Sequence, residues 1–60
     1  MNIHKEALEL VKKEKIVTSS EVAKKLKVSW NTAEKALLEL AVEGKITGIK
    51  KVGVNLWIIK

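Results

Sequence analysis

The stretch from Thr18 to Gly44 constrains the fold most, because it holds two helix signals separated by only three residues. Thr18 and Glu21 have the Thr-x-x-Glu spacing of a capping box, and Val22, Ala23 and Leu26 supply an apolar face behind it. Lys27, Val28 and Ser29 follow. The Ser29 hydroxyl is suited to accept from the free N–H groups of a first helical turn. Ala33, Leu37, Leu40 and Ala41 then recur at i, i+4, i+7 and i+8, the stripe of a helix packed on a core. Gly44 ends the run, since a left-handed backbone costs glycine least. Two capped helices so close together predict a helix-turn-helix, with Ser29–Glu43 as its second, recognition-type helix.

The flanks add a helix and a short apolar step before this pair and a hairpin after it. Asn2 can cap a first helix in which Ile3, Ala7, Leu10 and Val11 share a face. Glu9 and Lys13 stand at ion-pairing spacing in the favourable order, and Lys12–Lys15 closes the helix on cations that suit its dipole. Ile16-Val17 is long enough for a minimal strand or an extended link. After Gly44 the apolar pattern changes period. Ile46–Val52 reads as a strand, Gly53 as a turn and Asn55–Ile59 as a returning strand. The turn lacks an Asn-Gly or Asp-Gly pair, which leaves the hairpin register open. The expected order is helix, short strand, helix, helix, hairpin. That is an α+β fold, a single winged helix-turn-helix domain over residues 1–60.

Sixty residues allow one domain, and a domain of this size buries only roughly 60% of its unfolded surface. The absence of cysteine excludes disulfides and thiolate metal sites. No apolar run approaches the roughly 18 residues of a membrane span and no signal-peptide pattern opens the chain, so a cytoplasmic protein is expected. The net charge of +5 comes entirely from lysine, twelve against seven glutamates. It favours an anionic partner. Without arginine, the residue that pairs bidentately with guanine, the chain is better equipped for phosphates than for bases. Abundant Lys, Glu, Ile and Val with no Gln or Asp lean towards a thermophilic source.

From Lys15 to Ile59 the chain resembles the winged-helix DNA-binding family, particularly its small archaeal members. The resemblance rests on Thr18–Leu26, on Val28-Ser29-Trp30-Asn31-Thr32-Ala33, on Leu37 and Leu40, and on Glu43-Gly44-Lys45-Ile46. It implies that the exposed face of the third helix enters the major groove while the wing touches the backbone or minor groove. Carried over, the contacting residues are Trp30, Asn31, Thr32, Glu34, Lys35 and Leu38 on the helix, with Lys50, Lys51 and Gly53 on the wing. The chain is also similar, from Lys15 to Ile58, to the winged-helix protein of the archaeal and eukaryotic small ribosomal subunit. The matching features there are Ile16-Val17-Thr18, Leu26-Lys27, Ala36-Leu37, Glu39-Leu40 and Gly44. Where that family has arginines on the third helix, this chain has Glu34 and Lys35.

Two functions follow as expectations. The first is a small basic protein that binds double-stranded DNA, a transcription regulator or chromatin component. The lysines flanking the third helix (Lys24, Lys25, Lys27, Lys45, Lys50 and Lys51) would meet phosphates, leaving Asn31 and Thr32 to reach base edges. The same lysines also fit an ordinary solvated surface. The second is an accessory subunit that docks on a protein or RNA inside a replication, transcription or ribosomal complex. It is motivated by the third helix itself, where Lys35 stands against Glu34, Glu39 and Glu43, and by apolar groups in excess of one small core. Trp30 and Leu38 lie off the buried stripe. In Leu56-Trp57-Ile58-Ile59 alternate residues face opposite ways, so Trp57 and Ile59 are exposed unless the first helix or a second chain covers them. Leu38, Trp57 and Ile59 are therefore the candidate partner interface, in a homodimer or a larger complex. His4 stands alone and reads as a surface residue. There is no cysteine nucleophile, no Asp and no phosphate-cradling Gly-rich loop, and the glutamates sit at ion-pairing spacings such as Glu21–Lys25 and Lys35–Glu39, so neither an enzyme nor a cofactor, metal or small-molecule substrate is expected.

Overall fold

The computed structural model of the protein describes residues 2–60. Helix α1 spans Ile3–Glu14, strand β1 Ile16–Thr18, helix α2 Ser19–Leu26, helix α3 Trp30–Val42, and strands β2 and β3 Ile46–Lys51 and Val54–Ile59. Three helices and a hairpin in this order form the winged-helix arrangement, an α+β fold, as expected. No helix among the described residues is long and apolar enough to cross a membrane.

Local chemistry starts and stops each helix. The Asn2 side chain accepts from the Lys5 N–H at 3.0 Å. At α2 the capping box is complete: Thr18 Oγ1 accepts from the Glu21 N–H at 3.1 Å, and Glu21 Oε1 accepts from the Thr18 N–H at 2.8 Å. Ser29 Oγ accepts from the Thr32 N–H at 3.2 Å and so begins α3. Gly44, at φ 81°, ends α3, with its own N–H on the Ala41 carbonyl and that of Lys45 on the Leu40 carbonyl. That pair of bonds is a Schellman motif. Helix α2 ends in the same way, except that the left-handed residue is Lys27, at φ 57°.

The strands form one antiparallel sheet in the order β1-β3-β2. Lys51 pairs with Val54, so the wing turns on two residues, Val52-Gly53, with only Gly53 at positive φ (80°). This is the sign pattern of a type II turn. The strands therefore stop one residue short of Val52 and start one before Asn55, compared with the sequence expectation.

Helices and sheet close over Ala7 and Val11 of α1, Val17 of β1, Val22 of α2, Ala33, Leu37 and Leu40 of α3, Ile46 of β2 and Trp57 of β3. Trp57 is 3% exposed, and Ile59 packs against this core. The assignment of Trp57 and Ile59 to a partner surface is therefore corrected: the face they share is the inner one. Its depth comes from the register. Trp57 pairs with Gly48 on one side and Val17 on the other, and the indole lies over the glycine so closely that a Cβ there would sit 2.8 Å from Cζ3.

The outward side of the sheet carries Ile16, Leu56, Ile58 and Ile49 by alternation from this register. Ile16 is half exposed there.

Candidate nucleic-acid interface

Helix α3 turns Ala33, Ala36, Leu37 and Leu40 into the core, which fixes what it shows to solvent. Asn31, Lys35, Leu38 and Val42, at i, i+4, i+7 and i+11, form the stripe farthest from that core, and all four are exposed. The stripe is polar and cationic towards the helix N-terminus and apolar towards its C-terminus, with Leu38 49% and Val42 87% exposed. Thr32 lies to one side, on the flank of α1, where it lines a hollow with His4 and Lys35. Its hydroxyl sits 2.9 Å from that of Ser29.

The three glutamates that make α3 acidic in the sequence are each engaged away from this stripe. Glu34 is half-buried on the wing side; its carboxylate accepts from the Ser19 hydroxyl and, at 2.8 Å, from the Asn55 side-chain amide. Glu39 meets His4 of α1, and Glu43 lies 3.4 Å from the Lys45 ammonium. Glu43–Lys45 is the only lysine–carboxylate ion pair among the described residues; the sequence-spaced pairs Glu9–Lys13, Glu21–Lys25 and Lys35–Glu39 do not close. Lys35 has no carboxylate within ion-pairing distance. The carboxylates keep their charge but bond to either side of the outward stripe, which leaves Lys35 as its one charged group. Glu34 leaves the group of duplex-facing residues that the resemblance implied.

Glu34 also belongs to a polar chain that sequence reasoning missed. The indole N–H of Trp57 donates to Ser19 Oγ at 2.9 Å, Ser19 donates to Glu34, and Asn55 donates to the other Glu34 oxygen. Four residues from α2, α3 and β3 thus fix the wing against the helix-turn-helix, and Ser19, 2% exposed, has both its donor and acceptor roles filled.

The wing lysines lie close to the start of α3. Lys50 and Lys51 line a groove of about 320 Å³ together with Trp30, Ser20, Gly53 and Asn55. A second groove of about 390 Å³ runs between α3 and β2, past Leu38, Ala41, Ile49 and Lys50. Lys24 and Lys27 are exposed on α2 and in its C-terminal turn and line neither groove. Of the expected contact residues the structure brings together Trp30, Lys50 and Lys51 in the first groove, and Asn31, Lys35 and Leu38 along the stripe.

No family model matches the sequence, and no curated protein matches it. The fold and the surface chemistry therefore carry the functional reading.

Proposed function

We propose that the protein is a small, non-enzymatic DNA-binding protein that lays the outward stripe of α3 against a duplex and its wing against the backbone. The observation that supports this most is the disposition of charge on α3. Its glutamates bond sideways to Ser19, Asn55, His4 and Lys45, while Asn31 and Lys35 face out, and Lys50 and Lys51 stand exposed on the adjoining wing. Asn31 can donate to and accept from an adenine edge, and the lysines supply phosphate contacts that hold the helix in place. Lys24 and Lys27 extend the cationic surface along the backbone. A transcription or chromatin role in the cytoplasm accords with this reading. The decisive experiment is fluorescence anisotropy of a labelled random duplex titrated with the protein at low and physiological salt. Binding that weakens steeply as salt rises is expected, because counterion release accompanies each phosphate contact. Salt-independent binding, or none at low salt, overturns the reading.

A second reading, an accessory subunit that docks on protein, is favoured by a different surface from the one the sequence suggested. With Trp57 buried, the apolar groups on offer are the outward sheet residues around Ile16 and the Leu38–Val42 end of α3. This reading predicts a complex, with itself or another chain, whose sedimentation is lost in Ile16→Glu. A monomer at all concentrations, together with salt-sensitive DNA binding, decides for the first reading.

A further inference from the structure

The DNA-binding reading leaves Trp30 without a task. Its side chain is 47% exposed and is not among the residues packed on the core, although its neighbour Val28 is. A base inside an intact duplex has neighbours on both faces, so a tryptophan beside the helix start gains no stacking from it. The groove next to Trp30 has a different character from the α3 stripe. Its cationic lining comes from Lys50 and Lys51, hydrogen-bonding groups come from Ser20 and Asn55, and no acidic residue lines it. Its volume of about 320 Å³ falls at the small end of the range for ligand sites, enough for one flat group.

An aromatic platform beside a cationic wall is the chemistry that holds single-stranded nucleic acid. Resting on the DNA-binding reading, we infer that the groove between Trp30 and the wing is a site for an unpaired nucleotide. The base stacks on the Trp30 indole and its phosphate sits against Lys50 and Lys51. Stacking is indifferent to base identity, which suits a chain without arginine. The site makes the protein a reader of duplex ends, overhangs and opened steps as well as of the intact duplex.

The test uses the full chain and three labelled probes: a blunt duplex, the same duplex with a short thymine overhang, and the overhang strand alone. The overhang duplex should bind at least about fivefold more tightly than the blunt one, the lower bound for a single aromatic–base stack. It should also quench indole emission, since Trp30 is the exposed member of the two tryptophans. Trp30→Ala should bring the ratio of overhang to blunt-duplex affinity to about one and remove the quenching, and Trp30→Phe should restore part of the preference. Equal binding of blunt and overhang duplexes by the wild type, or a preference that survives Trp30→Ala, overturns the nucleotide site and leaves the duplex reading standing. Binding of the single strand with none of the blunt duplex does the reverse. Failure to bind any probe overturns both.

Discussion

Gly48 shows how much of this fold depends on one missing side chain. With an added Cβ 2.8 Å from Cζ3 and 3.2 Å from Cε3 of Trp57, Gly48→Ala must displace a rigid ring that has nowhere to go. The expected cost is about 1–3 kcal/mol, as for other overpacked cores, read from urea denaturation. Ser19→Ala should cost a similar amount, about 1–3 kcal/mol, because it strands the buried Trp57 N–H without an acceptor. Glu34→Ala separates two accounts of that carboxylate. If it anchors the wing through Ser19 and Asn55, stability falls and DNA binding weakens; a plain surface charge would leave stability unchanged and tighten binding. Part of this was legible. Alternation placed Trp57 and Ile59 on one side of their strand, and a glycine inside a strand signals close approach of another group. Which side faces inward was not legible, because the answer depends on Ser19, 38 residues away, and on a register that no local turn signature announces.

Helix termini were legible because capping is chemistry among near neighbours. Asn2, Thr18 with Glu21, Ser29 and Gly44 all act where the sequence placed them. The hairpin ends were less so, since Val52-Gly53 resembles strand as much as turn. Two of the expected i,i+4 ion pairs fail because their glutamates are engaged elsewhere, Glu21 by its capping box and Glu39 by His4 of another helix; nothing in the structure explains the third, Glu9–Lys13. At this scale Lys27 sets up a trade. A left-handed lysine is strained by roughly 1–2 kcal/mol, part of which Lys27→Gly should recover as a higher melting temperature. The same change removes a cation from the proposed interface, so DNA affinity should fall and its logarithmic salt slope should flatten by about one. A gain in stability with no change in slope would place Lys27 outside the interface.

For the molecule as a whole, the proposed binding mode divides the lysines into sets that salt titrations can tell apart. Lys35→Ala, Lys50→Ala and Lys51→Ala should each flatten the salt dependence by about one, whereas Lys13→Ala, on α1, should leave it unchanged. If Lys13 counts as much as Lys35, attraction is diffuse and no face is preferred. The sheet order has a different kind of consequence, one for the making of the protein. Strand β3 lies between β1 and β2 yet follows both in the chain. As the chain folds, three helices can gather while both edge strands still lack a partner. The place of Trp57 beneath them also stays empty. The β2–β3 hairpin is local, but the pairing of β1 with β3 joins Ile16 to Ile58 and Thr18 to Leu56 and is a long-range step. A chain cut before Val54 therefore lacks both the strand that joins β1 to β2 and the indole that completes the core around Val17, Leu37 and Ile46, and it should be degraded by proteases that the intact domain resists.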